Sequence, residues 1–297
     1  MTVVLDVKLI VGIIGFITLI WVLLNLKRKR ADGQIVKDLH PFRTMLLFAC
    51  PSRQSSTVYF DVSIKAQKLE AFVKKHSDQF SIMNILVWAG KIALENCPEM
   101  NRFCSGNRLY LRNGVHISFT VKKDLKDRDS KTSFLKLNLS KFKTFDDLCE
   151  RIKGGVKEER SDKESYSDKE HSFFSSLPNF IFSPIYKLAS FLDHYNLLPF
   201  WFYKEDGLFT SLIITNLGSL KMKPGYHHLY EWGNCPIFAM VGKVKDEVVA
   251  KDGKVEIERV LPIRITFDER IEGGLVAKFG LQKFIDVLED PEEYLLS

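Results

Sequence analysis

Leu9 to Leu26 form a run of 18 residues without a charge near the start of the chain. As a helix rising about 1.5 Å per residue the run spans about 27 Å, close to a hydrocarbon thickness of about 30 Å. Lys8 and Lys27 flank it and can extend the match by snorkelling, and Lys27-Arg28-Lys29-Arg30 follows directly. A buried core helix makes a poor neighbour for such a cluster. A cleaved signal peptide would carry its charge before the apolar run and a small-x-small site after it. Residues 1–30 are therefore expected to be a retained single-pass anchor with a basic stop. The positive-inside rule keeps the cluster, and the large domain behind it, on the cytoplasmic side.

Residues 31–40 read as a short polar tether before a domain over 41–297, in which strand and helix periods alternate. Val58 to Ile64 predicts a strand, and Leu69, Phe72 and Val73 mark one face of a short helix. Ile82 to Leu94 is apolar nearly all round, as in a helix buried on most sides. Arg108 to Arg112, Asn113-Gly114 and Val115 to Val121 predict a hairpin with an Asn-Gly turn. In its second strand Val115, Ile117, Phe119 and Val121 share one face, and His116, Ser118 and Thr120 the other. Phe134 to Leu139 predicts a strand, and Phe145, Leu148, Cys149, Ile152 and Val156 one helix face. A charged, serine-rich loop (154–171) precedes an apolar insert (173–203). The insert holds a helical stripe from Leu177 to Tyr195 and the aromatic run Phe200-Trp201-Phe202-Tyr203. It fits a helix packed on the domain, an interfacial helix on the bilayer, or a lid over an apolar pocket. Strands are expected at Ser211 to Thr215 and Pro236 to Val244. A hairpin turning at Lys251 to Lys254, a last strand from Ile263 to Phe267, and a closing helix after Gly273-Gly274 complete the pattern.

The 297 residues are 45% hydrophobic and 27% charged, a composition that supports a sizeable core. Net charge is +6, of which the first thirty residues supply +4, so the remainder is too near neutral to suggest a nucleic-acid partner. Five cysteines, odd in number and without a C-x-x-C pair, argue against a disulfide framework and a zinc site and fit a reducing compartment.

Ser81-Ile82-Met83-Asn84 running to Cys97-Pro98-Glu99-Met100-Asn101 resembles the buried helix and hPxxN turn of dihydrolipoyl acyltransferases, the acyl-transferring components of 2-oxo-acid dehydrogenase complexes. Ile214-Thr215-Asn216-Leu217-Gly218 is similar to their TISNLG strand. Cys235-Pro236 through Phe267-Asp268-Glu269-Arg270 to Asp290-Pro291-Glu292 resembles their closing order of strand, hairpin, strand, DHRxxDG and helix. The resemblance covers about residues 40–297. It implies an α/β fold like that of chloramphenicol acetyltransferase, a mixed sheet flanked by helices, here preceded by one transmembrane helix. It also implies homotrimers or higher assemblies of trimers with active sites between subunits and an acyl-CoA or acyl-carrier thioester as substrate; the cysteine pattern leads us to expect no metal. No lipoyl domain of its own is expected, because the anchor meets the domain through about ten residues.

The family's general-base histidine aligns with Glu269, its loop-holding aspartate with Gly273 and its final glycine with Gly274, while its oxyanion-stabilising hydroxyl is retained as Thr215. A carboxylate near pKa 4.3 facing a thiol near 8.5 leaves about 5–6 kcal/mol of unfavourable proton transfer. Burial between subunits can raise a Glu by up to about 3–5 units and close most of that gap. Otherwise Glu269 is a turn or salt-bridge residue, with Arg270 or a Lys as partner. His227 and His228 beside Glu231 offer another base, His228 being the candidate, with the carboxylate orienting one imidazole; a surface aromatic loop is the alternative. Thr215 also suits a strand simply by being β-branched. Asp268 and Arg270 are expected to brace the turn, and His40, His76, His116, His171 and His194 to be structural or solvated. Two functions follow: a membrane-anchored acyltransferase with Thr215 as oxyanion donor and Glu269 or His228 as base, its catalysis altered, or a catalytically inactive trimeric scaffold or acyl/lipid-binding module.

Overall fold

Helix α1 (Val7–Leu26) takes up the apolar run, and none of the stretch Leu9–Leu26 is buried against the rest of the protein. The computed structural model describes residues 7–123, 127, 130, 132–161 and 176–295. Among these, α1 is the helix long and apolar enough to cross a membrane. Of the basic cluster behind it, Lys27, Arg28 and Lys29 are exposed, but the Arg30 side chain is 2% exposed and pairs with Asp32 and Asp193, each at 2.9 Å. Burial opposes the Arg30 charge, and the two carboxylates outweigh it, holding the guanidinium pKa above its usual value.

The segment read as a tether is partly strand. β1 (Gly33–Ile35) pairs antiparallel with β4 (Arg108–Arg112). A Cβ at Gly33 would meet the Phe103 ring at 2.8 Å, so glycine lets the strand sit this close. Three residues are too few for a period to reveal. β3 (Arg102–Ser105) completes the small sheet through a tight hairpin at Gly106 and Asn107, with φ of 56° and 57°.

Asn113-Gly114 is not the hairpin turn its sequence suggests. β4 ends in the small sheet, whereas β5 (His116–Lys122) belongs to the main one, so Gly114 (φ 77°) is a corner between sheets. Asn113 Nδ2 donates to the Ala31 carbonyl at 3.0 Å and Asn101 Nδ2 to that of Gly114 at 3.0 Å. The local signal for a turn was right; which strands it joins was decided by partners distant in sequence.

The main sheet has the order β2 (Thr57–Lys65), β10 (Lys254–Asp268), β8 (Ile237–Val241), β7 (Leu212–Asn216), β5, β6 (Thr132–Asn138), with β9 (Lys245–Lys251) also on β10. It is mixed: β5–β7 and β7–β8 are parallel, the remaining pairs antiparallel. The hairpin at Asp252-Gly253 is present (φ 50° and 75°), but the two strands expected after it are one, β10, continuing through Pro262.

The helices are α2 (Pro41–Ala49), α3 (Gln67–Lys75), α4 (Ile82–Asn96), α5 (Phe145–Glu159), α6 (Asn179–His194), α7 (Phe200–Tyr203), α8 (Gly274–Glu289) and α9 (Pro291–Leu295). One sheet face is covered by α4 and α8. Ile85, Leu86 and Val87 of α4 are fully buried, at about 1.5–3 kcal/mol per side chain of this kind. A Cβ at Gly90 would meet Ile117 and Leu212 at 2.8 and 2.9 Å, so α4 lies directly on β5 and β7. The other face carries a smaller cluster of Ile213, Leu229, Cys235 and Phe238. Helix α5 runs through the start of the expected loop to Glu159, Gly155 giving room to Leu135. The rest of that loop, 162–171, and the insert's first residues, 173–175, lie outside the described residues.

Candidate active site

The corner after β10 is held by charge. Asp268 and Arg270, 1% and 5% exposed, form a two-pronged pair with Nε–Oδ1 at 2.9 Å and Nη2–Oδ2 at 2.7 Å, and Arg270 Nη1 donates to the Cys50 carbonyl at 2.9 Å. Burial works against the Arg270 charge, and the Asp268 hydrogen bonds and charge overcome it, so its pKa stands above the usual value. The expected bracing role of both residues thus has a geometry, and Arg270 is occupied by Asp268 rather than by Glu269.

Glu269 is half-buried. Its N–H donates to the Ser56 carbonyl at 2.9 Å and its own carbonyl accepts from Arg43 Nη1 at 2.7 Å. Its carboxylate has no hydrogen bond or ion pair with any described residue. The corner's third acid is Glu272, which sequence reasoning passed over. Arg43 Nη2 meets Glu272 Oε1 at 2.7 Å, Arg102 Nη1 meets Oε2, and Gly273 N–H donates to Oε1 at 2.9 Å. Glu272 stands one residue before the position where the resemblance called for an aspartate. The available signal was an acid next to Gly273-Gly274. Its arginines, on α2 and β3, lie far away in sequence.

Thr215, on β7, is half-buried and shares a sheet face with Ile213. Its hydroxyl accepts from Thr120 Oγ1 at 3.5 Å. Just beyond, Asn216 Oδ1 accepts from Ser219 N–H at 3.3 Å, and Gly218 leaves room for the Gly242 carbonyl, which a Cβ would meet at 2.5 Å. The Asn-Leu-Gly motif therefore turns the chain sharply away from the threonine.

The histidine loop lies over the same face, but not as expected. His227 is the half-buried member, its ring stacked on Phe238 at 4.0 Å. Its Nδ1 lies 2.6 Å from the His228 carbonyl, so Nδ1 carries the proton and Nε2 accepts from the Tyr230 hydroxyl at 3.4 Å. Burial pushes the His227 pKa down. His228 is exposed, with its ring 4.9 Å from that of His227. Glu231 orients neither imidazole: its carboxylate accepts the N–H groups of Arg53 at 3.3 Å and Gln54 at 3.1 Å. Backbone donors of a neighbouring loop took the carboxylate that proximity in sequence had assigned to the histidines.

Strand register sets the distances between these groups. Thr215 pairs with Met240, and Met240 with Arg264. Phe238, under His227, is one strand across and two residues back from Thr215, roughly 8 Å away. Asp268 lies two strands across and four residues along, so Glu269 and Thr215 stand at opposite ends of the sheet, roughly 16 Å or more apart. Within one protomer Thr215 neighbours the histidine loop and not Glu269. No group of three or more His, Cys, Asp or Glu side chains arranged to hold a metal occurs among the described residues.

Residues 205–296 match the family model for the catalytic domain of 2-oxoacid dehydrogenases acyltransferases. Over 245 residues, 80% of this chain, the sequence is 24% identical to the dihydrolipoyllysine-residue succinyltransferase component of the 2-oxoglutarate dehydrogenase complex from Rickettsia bellii; the aligned part is 48% of that protein, so the chain spans about half the length of the curated relative. The cubic core of a pyruvate dehydrogenase multienzyme complex superimposes with a TM-score of 0.56 at 18% identity, covering 88% of this chain and 94% of that one. A chloramphenicol acetyltransferase superimposes with a TM-score of 0.53 at 12% identity, covering 86% and 99%. The corner and closing helix thus match the family model for 2-oxoacid dehydrogenase acyltransferase catalytic domains, and the domain has the chloramphenicol acetyltransferase-like fold.

Proposed function

We propose that this protein is a membrane-anchored acyltransferase that moves an acyl group from a CoA or carrier-protein thioester to an acceptor at the cytoplasmic membrane face, working as a homotrimer or a higher assembly of trimers. One observation carries the reading: among the described residues the Glu269 carboxylate has no ionic partner, on a corner that two arginine–carboxylate clusters hold rigid. A carboxylate free of partners and fixed in place is suited to take a proton.

In this mechanism the acceptor's hydroxyl or thiol gives its proton to Glu269 and attacks the thioester carbonyl. The Thr215 hydroxyl donates a hydrogen bond to the oxyanion that forms. Collapse breaks the carbon–sulfur bond, and the departing thiolate takes the proton back from Glu269. Since the two residues stand at opposite ends of one sheet, the site needs Thr215 from one copy and Glu269 from the next. Closure between copies would also supply the dry surroundings that raise a glutamate toward thiol basicity. His228, exposed beside His227, is the substitute base for a site within one protomer.

The test is thioester turnover by the full-length protein in lipid vesicles, with acyl-CoA donors of graded chain length. Glu269→Gln is expected to lower turnover at least about a hundredfold, in the range of lost general-base catalysis. Turnover equal in wild type and a Glu269→Gln, His228→Ala double variant would remove the enzymatic reading.

A second reading, an acyl- or lipid-binding module of the same fold, draws on a cavity of about 260 Å³ between the sheet and helices α4 and α8. Its walls are apolar, with Phe60, Leu94, Met100, Leu281 and Phe284 among them and Lys278 the one ionisable residue in the lining. A fatty chain retained through purification and detected by mass spectrometry, without turnover, would favour this reading.

A further inference from the structure

Helix α6 is apolar on two opposite faces, which a helix packed on one side and wet on the other does not need. Its inner face rests on the domain, with Tyr186 5.6 Å from the Trp232 ring and Phe182, Ile185 and Ala189 beside it. Its outer face turns Phe180 (78% exposed), Leu188 (57%) and Phe191 (46%) away from the protein, and Trp201 of α7 is likewise exposed (69%). Lys187 and Asp193 are the only acidic or basic residues in its 16 positions, apart from the terminal His194.

The C-terminal end of α6 is tied to the end of α1. Asn196 Nδ2 donates to the Lys27 carbonyl at 2.9 Å. Arg30 reaches Asp193 Oδ1 at 2.9 Å, Asn196 Oδ1 at 3.2 Å and Ser105 Oγ at 2.8 Å. Arg108 Nη2 donates to Asn25 Oδ1 at 3.1 Å, on the last turn of α1. Two charge partners and an amide, all largely buried, thus close on the residues where α1 stops. Helix α6 is about 24 Å long at 1.5 Å per residue, so no part of its outer face lies further than that from this point. Exposed Lys27, Arg28 and Lys29 stand at the same place.

We infer that the outer face of α6, with Trp201 of α7, lies on the lipid bilayer at its interface with anionic headgroups, and that the Arg30–Asp193–Asn196 clamp holds it there. This rests on the reading of α1 as membrane-spanning. If α1 crosses the bilayer, its Lys27 end lies at the membrane surface and the clamp brings the aromatic face there too. Headgroup phosphates match the three free cations, and an apolar face of Phe, Leu and Trp suits the boundary between headgroups and acyl chains. The domain is then oriented on the membrane by two contacts rather than swinging on one helix.

The test uses the full-length protein in vesicles of phosphatidylcholine and phosphatidylserine carrying bromine either just below the headgroup or deep in the chain, read by tryptophan fluorescence. Trp201→Phe is expected to lower shallow quenching at least twofold, and Trp21→Phe to remove most of the deep quenching. Leu188→Glu, which points away from the domain, should also lower the Trp201 quenching at least twofold. If Trp21 is quenched and Trp201 is not, as when a second copy covers α6, the inference falls and the anchor stands. If neither is quenched, the anchor falls and the inference with it.

Discussion

Thr215 and Glu269 occupy opposite ends of one sheet, because β7 and β10 run in opposite directions through their shared neighbour β8. The hydroxyl sits near the C-terminal end of β7, and the acid just past the C-terminal end of β10. A site that uses both must be built from two copies.

That geometry makes a mixing experiment decisive. Thr215→Val and Glu269→Gln homo-oligomers are each expected to lose about 10²–10³ in turnover, the usual size of a lost oxyanion donor or general base. Co-expressed in equal amounts, they should regain about a quarter of the wild-type sites, since random assembly joins an intact Thr215 to an intact Glu269 at that frequency. Mixed samples no more active than either parent would place the site within a single protomer.

The corner's rigidity is predicted to come from Arg43 and Glu272. Each hydrogen bond to a charged group of this kind contributes about 1.5–3 kcal/mol. Arg43→Ala should destabilise the protein by about 2 kcal/mol in urea unfolding, and Glu272→Ala by more, because Glu272 also meets Arg102. A double-variant cycle should return a coupling of about 1–3 kcal/mol, and a coupling near zero would mean the pair does not hold the corner.

Acid should weaken the fold through His116. Burial first, then the nearby charges of Arg112 and Lys136, push its pKa down to about 4. The unfolded chain has a histidine near 6.5, so it takes up the proton more readily than the folded one. Stability is then complete above about pH 6.5 and declines as pH falls toward 4, by up to about 3 kcal/mol. His116→Gln should flatten this window in urea unfolding at pH 7 and 4.5; an unchanged slope would assign the acid sensitivity to other groups.

Gly106 is predicted to be irreplaceable. Its φ of 56° is strained for any side chain, and a Cβ would collide with the His194 carbonyl at the end of α6. Gly106→Ala should cost more than about 1 kcal/mol and speed hydrogen exchange at the C-terminal turn of α6. Equal exchange in both proteins would show that the turn does not seat that helix.

The apolar helices and strands were legible because their signals are local. A charge-free run, an all-apolar stretch such as Ile82 to Leu94, or an Asp-Gly turn declares itself within a few residues, and the order of such segments was enough to suggest the family. The insert was legible only as an apolar stripe, since one helical period cannot say which of two faces meets the domain.

The corner's clamp and the anchor's clamp could not be read in this way. Arg43 and Glu272 are 229 positions apart, and Arg30 and Asp193 are 163 apart. Sequence alone placed Arg30 in the basic stop, Glu231 beside its histidines and Asn113-Gly114 in a hairpin; folding buried the first, gave the second to a neighbouring loop and made the third a corner between sheets. Local periodicity determined which elements form, because it depends on the side chains of one segment. Tertiary structure decided which charges meet, because burial makes an unpaired ion so costly that each seeks whatever partner the fold brings near.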